Sequence, residues 1–200
     1  KKILNIPSNK WNLTKPDWIK NHLSDIKDSK IKKTLHEILD DFKNISNVLL
    51  NLESHWTHND LNDQNILVKH NIGNLPEISG ILDFGDLAFC PRICNIAICS
   101  AYLLILPDVG IEKQLHFLKG YHLKNPISEN ELDILYTLIL VRIAVSYVNS
   151  IVMSKNKPDD PYVVISQNDT KNFLLSMREN KDFITARFRN SCGFAPLKSS

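Results

Sequence analysis

Two hundred residues, 43% of them hydrophobic, are enough for one domain with a buried core, and the formal net charge is only +2. Lysines and acidic residues are interleaved rather than blocked, so nothing resembles a nucleic-acid arm or a basic membrane-surface helix. The longest apolar stretches, 93–106 and 135–148, are short for a membrane span and are broken by Asn95 and Arg142, so both are expected as buried helices of a soluble bundle.

The chain opens Lys1-Lys2-Ile3-Leu4, with no initiator methionine and no signal-peptide layout, and is expected to be a fragment. Thr14-Lys15-Pro16-Asp17 reads as a helix start, with Trp18, Ile19, His22, Leu23 and Ile26 on one face. A second helix is expected from about Ser29, because Ile31, Leu35, Ile38, Leu39, Phe42, Ile45, Val48, Leu49 and Leu52 recur at helical spacing. A polar loop follows, then "NILV" as a short strand, "HNIGNLPE" as a hairpin turn and "ISGILDF" as a second strand. From Pro91 onward the pattern is helical, with breaks at 107–110, at 120–126 and around 157–161. The first glycine is Gly73, so no glycine-rich phosphate cradle precedes the loop.

Cys90, Cys94, Cys99 and Cys192 form no C-x-x-C, and no histidine pair stands at zinc spacing. Reduced thiols and a cytoplasmic location are expected.

The informative stretch is the loop "HWTHNDLNDQNILVKH" (55–70), whose His58, Asp60 and Asn65 are followed by Asp83 in "DFG". Read as H-x-D-x-x-x-x-N, then strand, turn, strand and D-F-G, these residues match a kinase catalytic signature in order and spacing. A hydroxyl attacking a γ-phosphate needs a carboxylate to orient it and accept its proton, the role expected of Asp60. Magnesium bridging the phosphates needs hard oxygen ligands, which Asn65 and Asp83 would supply if the two strands run antiparallel. His58 is expected to brace the loop backbone. The plainer reading is an Asn/Asp-rich turn before a strand; the two motifs standing in order on either side of a hairpin weigh against it. A metal hydrolase built on His58 and Asp60 is rejected, because no other histidine cluster sits at ligand spacing.

The segment "THNDLNDQNILV…ISGILDFGDLAFCPR" resembles the aminoglycoside phosphotransferase/choline kinase superfamily, and within it the hydroxylysine kinase branch and the phosphotransferase domain fused to class III aminotransferases. "VNSIVMSKNKPDDPYVVIS" (148–166) and "RNSCGFAPL" (189–197) are similar to the same branch. The resemblance implies an α+β, protein-kinase-like fold, of which residues 1–200 would be the mostly helical C-terminal lobe, with a short β-hairpin carrying the catalytic loop and DFG. It implies transfer of phosphate from ATP (or GTP), with Mg2+, to a small hydroxylated amine or amino acid. It also implies that the N-terminal nucleotide-binding lobe lies outside these residues and that an aminotransferase domain could follow them. A protein kinase has lysine where Asn62 stands, and a long activation segment where only "DLAFC" separates Gly85 from Pro91, so a small acceptor is expected. Superfamily members often carry glycine at Asn59 and an acidic residue at Asn95, where that group braces the helix against the loop; the amide at Asn95 puts the brace in question.

Asp86 and Arg142 are the candidate substrate contacts. Asp86 is either a second metal neighbour, a contact to a substrate amine, or an exposed turn carboxylate. Arg142, between apolar turns, either forms a structural ion pair or recognises a substrate carboxylate or Asp86. Tyr102 and Tyr147 are expected in the core, and His22, His36, His116 and His122 carry no assigned chemistry. A competing reading of the whole is a truncated, non-catalytic remnant kept as a binding module.

Overall fold

The computed structural model describes residues 9–70, 73, 75–105, 110–156 and 161–197. Its organising element is a long helix that the rest of the chain surrounds. α1 (Ser29–Asn51) starts where the Asp28 side chain accepts the backbone N–H groups of Lys30 and Ile31, two of the donors a helix N-terminus leaves unpaired. It buries Ile31, Leu35, Ile38, Leu39, Phe42 and Leu49 along one stripe. Four further helices follow the central strands: α2 (Arg92–Ile105), α3 (Gly110–Lys124), α4 (Glu129–Asn156) and α5 (Pro161–Met177). A last one, α6 (Lys181–Ser191), packs on α3 and α4.

The α4 sequence is apolar on every side from Leu132 to Val148, so no single stripe faces a partner. A helix of that kind is stable only when it is enclosed. α1, α2, α5 and α6 enclose it. Each large apolar side chain sealed there contributes about 1.5–3 kcal/mol. The Glu129–Lys155 segment is long and apolar enough to cross a membrane by length and composition alone, and it is mostly buried inside the bundle. Both apolar stretches expected as buried helices, 93–106 and 135–148, lie in α2 and α4, apart from Leu106, which falls outside the described residues.

Two side chains fasten the ends of the bundle. Arg92, at the start of α2, is bonded to Glu131 on α4, to the Asn125 side chain and to the Pro126 carbonyl. Arg189 on α6 is bonded to Glu129 and Asp133 on α4 and to the Ala195 carbonyl.

The helix expected near Pro16 forms as a 3-10 helix over Pro16–Asp25, with Ile19 and Leu23 buried. No side chain caps its start at Lys15, and it packs against α4 and α1. Of the expected breaks at 107–110 and 157–161, only Gly110 and Pro161 are described, and they open α3 and α5; the rest of both breaks, and part of the turn at 70–77, lie outside the described residues.

Among the described residues, four short strands form two antiparallel pairs. β2 (Ile66–Lys69) pairs with β3 (Glu77–Ile81), Ile66 opposite Ile81 and Lys69 opposite Glu77, with an irregularity between Leu67 and Val68. This is the hairpin that "NILV" and "ISGILDF" predict. The second pair was not foreseen: β1 (Ser54–Thr57) pairs with β4 (Ala88–Pro91). Neither four-residue segment carries enough alternation to register as a strand, and Pro91 can stand only at a strand end. The consequence is a nested arrangement, with β2–β3 inside β1–β4. The two loops between the pairs, 58–65 and 82–87, are each tethered at both ends and must therefore run side by side.

Candidate active site

The nested strands bring His58, Asp60, Asn65 and Asp83 together. Leu82 donates its backbone N–H to the Asn65 carbonyl at 2.9 Å, joining the end of one loop to the start of the other. His58 adds a second cross-link. Its Nδ1 accepts the Asp60 backbone N–H at 3.3 Å, which leaves the proton on Nε2 to donate to the Leu82 carbonyl at 2.7 Å. The imidazole, largely buried, also lies against the Phe84 ring at 4.9 Å. His58 thus braces both loops.

Asn59, between them, has φ of 65° and is fully buried. Its backbone N–H donates to Asn95 Oδ1 at 3.1 Å, tying α2 to the loop. The brace questioned at Asn95 is therefore present, because an amide oxygen accepts the same hydrogen bond as a carboxylate. The Asn59 side chain fares worse: both polar atoms of its amide are buried without a partner among the described residues.

Asp60 is held mainly by one oxygen. Its Oδ1 accepts the Tyr102 hydroxyl at 2.8 Å and Arg142 Nη2 at 3.0 Å, while Arg142 Nη2 also donates to the Tyr102 oxygen at 2.7 Å. Burial pushes the Tyr102 hydroxyl above its ordinary range, which keeps it a donor. Among the described residues, the other oxygen, Oδ2, meets only Asn62 Nδ2 at 3.3 Å and Asn65 Nδ2 at 3.5 Å. The Asp60 side chain remains one-quarter exposed, so a carboxylate oxygen can be reached from solvent. Asn62, where a protein kinase has lysine, supports the same turn: its Oδ1 accepts the backbone N–H groups of Gln64 and Asn65.

One expectation is corrected here: Tyr102 is not a simple core residue but a direct partner of Asp60. Of the two alternatives for Arg142, the ion pair forms, and its partner is Asp60 rather than Asp86. Asp86 instead accepts Asn9 Nδ2 at 2.6 Å. Tyr147 is in the core as expected. A polar stripe on α2 could have revealed Tyr102, since Asn95, Cys99 and Tyr102 share one helix face at i, i+4, i+7 spacing. Trp11, whose ring lies 4.6 Å from the Arg142 guanidinium, carries no sequence signal.

Asn65 and Asp83 offer oxygens of the kind a magnesium ion takes. Asn65 Nδ2 is tied to the Asp60 carbonyl at 2.9 Å, which turns the amide oxygen away from that bond, and no described residue donates to it. Asp83 is exposed, with φ of 56°, and its Oδ1 accepts the Gly85 N–H at 3.2 Å. An aspartate tolerates this left-handed turn by closing such a local bond. A Cβ at position 85 would stand 3.1 Å from Asp83 Oδ1, so glycine gives the carboxylate room. Asp83 Oδ2 has no partner among the described residues. The donor set fits a hard divalent cation held jointly with phosphate oxygens. Three or more His, Cys, Asp or Glu side chains do not gather at metal-holding distance among the described residues.

All four cysteines are free, in line with the expected thiols. Burial pushes the Cys99 thiol up to about 12, which leaves it inert beside Asp60.

Comparison with known proteins shows the family. Residues 9–122 match the phosphotransferase enzyme family. The chain is 30% identical over 146 residues to the hydroxylysine kinase of Xenopus laevis and 29% identical over 143 residues to that of Mus musculus, in each case across 69% of this chain and 38% of the relative. It is 31% identical over 118 residues to the hydroxylysine kinase of Danio rerio, across 59% of this chain and 30% of the relative. The chain therefore spans well under half the length of the curated relatives it matches, and no solved structure matches it. The matched region contains the whole of the nested strands and the loop that carries Asp60, and this chain belongs to the phosphotransferase enzyme family.

Proposed function

We propose that residues 1–200 form the catalytic lobe of an ATP-dependent small-molecule kinase that phosphorylates a hydroxyl group on an amine or amino acid, with hydroxylysine the first acceptor to consider. The observation that carries this reading is the convergence of Asp60, Asn65 and Asp83 on one edge of the nested strands, fastened by the Leu82–Asn65 and His58–Leu82 bonds. The similarity to hydroxylysine kinases supports the acceptor class.

In this reading Asp60 Oδ2 accepts a hydrogen bond from the acceptor hydroxyl and aims its oxygen at the γ-phosphorus. The new O–P bond forms as the bond to the departing ADP oxygen breaks, and the proton passes to Asp60. Asn65 and Asp83 would hold the magnesium ion, which when bound would neutralise charge on the transferring phosphoryl group. His58 keeps both loops in register. Asp86 stands beside the DFG turn, where it can meet a substrate amine. Remaining nucleotide contacts are assigned to an N-terminal lobe, since no glycine precedes Gly73 to shape a phosphate cradle. Four free thiols suit a cytoplasmic enzyme.

The test is ADP release from Mg-ATP by the full-length protein, with hydroxylysine, choline, homoserine and an aminoglycoside supplied one at a time. Acceptor-dependent turnover with one of them is expected. A folded protein silent toward all four would overturn the assignment.

A further inference from the structure

The Arg142 side chain is 3% exposed, yet it spends its hydrogen bonds in one place. Nη2 serves Asp60 Oδ1 and the Tyr102 oxygen, while Nε and Nη1 are buried without partners among the described residues. A guanidinium retained for stability would be expected to use its whole donor fork, because each unpaired buried donor carries a desolvation penalty. Instead it lies over two rings, its central carbon 4.6 Å from the Trp11 ring centre and 5.3 Å from that of Tyr102. Contacts of this kind partly offset the cost of burial and stop the group from turning. Fixing the guanidinium fixes the carboxylate oxygen it touches.

Tyr102 completes a closed triangle. Arg142 donates to its oxygen, its hydroxyl donates to Asp60 Oδ1, and Arg142 donates to the same Oδ1. Two strong donors therefore hold Oδ1 from the α2 and α4 side, whereas Oδ2 has only two long contacts within its own loop. The carboxylate is left with one rotational setting and one oxygen free to bind a hydroxyl.

We propose that Arg142 and Tyr102 are positioning residues for Asp60, which pin Oδ1 so that Oδ2 alone faces the acceptor hydroxyl. Trp11 packs against the guanidinium and limits its movement. This inference rests on the proposed function, since it assigns the pair a part in that reaction. It differs from substrate recognition by Arg142, because the free Nε and Nη1 are sealed from solvent and the exposed partner is Asp60 itself.

The test uses the full-length protein and whichever acceptor turns over. Arg142→Met and Tyr102→Phe are each expected to lower kcat by about tenfold to a hundredfold, the scale on which small misplacements of a reacting group act. The KM for Mg-ATP should stay within about twofold, because neither residue touches the Asn65–Asp83 edge. The double variant should be no slower than Arg142→Met alone, since both act through one oxygen. Tyr102→Phe removes a single hydroxyl and keeps the test available if Arg142→Met does not fold. Folded variants with wild-type kcat, or losses that appear equally in the KM for Mg-ATP, would overturn the inference while leaving the proposed function standing. A wild-type protein silent toward every acceptor would overturn the proposed function, and this inference with it.

Discussion

Asn95 Oδ1 accepts the backbone N–H of Asn59 at 3.1 Å, and this one bond anchors the loop that carries Asp60 to the first turn of α2. Asn59 is fully buried, so its N–H has no water to fall back on. Asn95→Ala would leave that donor unpaired, at about 1–3 kcal/mol. Asn95→Asp keeps an acceptor at the same place and should lose far less. Chemical denaturation of the two variants beside wild type measures the difference; equal losses would mean that the bond adds nothing to stability.

The left-handed conformation of Asn59 makes a second, opposite prediction. Its φ of 65° suits glycine, and its buried amide has no partner at either end. Asn59→Gly relieves both problems, whereas Asn59→Ala removes the amide but keeps a Cβ in a strained setting. The glycine variant should be more stable than the alanine variant by about 1–2 kcal/mol. Thermal melts of the pair read this directly, and an alanine variant as stable as the glycine one would show the turn to be unstrained.

Asp60→Asn tests the chemistry apart from the fold. The amide oxygen can still accept from Tyr102 and Arg142, so the packing beneath the loop should persist. What is lost is a group able to take the hydroxyl proton. Phosphoryl transfer should fall by orders of magnitude while Mg-ATP binding stays nearly unchanged. Parallel loss of both in calorimetric titration and turnover assays would make Asp60 a structural residue.

The Arg92–Glu131 pair sets a pH dependence of stability. Burial by itself raises the Glu131 carboxyl, but the Arg92 guanidinium and the Ser128 N–H and hydroxyl outweigh it and hold the group below its ordinary 4.5. A carboxyl lowered by folding contributes stability that is fully present above its unfolded value. That contribution fades as pH falls from about 4.5 through the folded value. Glu131→Gln should therefore flatten the loss of Tm in acid over that window, as well as lowering Tm at neutral pH. An unchanged acid limb in the variant would sink the assignment.

The loop, the hairpin and the residues His58, Asp60, Asn65 and Asp83 were legible because their signals are local. Asn62 caps a short turn three residues on, and β2 and β3 are near neighbours in the chain. The β1–β4 pair was not legible, since "SHWT" and "AFCP" are too short to show a period and become strands only when they meet. Tyr102 was read in isolation as a core residue, and Arg142 as either a structural ion pair or a substrate contact, with no partner on the catalytic loop named for either.

What the amino-acid sequence determined by itself is the identity and order of the chemical groups, the helical stripe of α1, and the enclosed character of α4, all consequences of spacing along one segment. What only the tertiary structure decided is which partners those groups have. Asp60 and Arg142 stand 82 positions apart, and Asp60 and Tyr102 stand 42 apart. No periodicity spans such distances. Their meeting depends on α4 lying at the centre of the bundle with α2 across it, an outcome set by the burial of some dozens of apolar side chains far from the site.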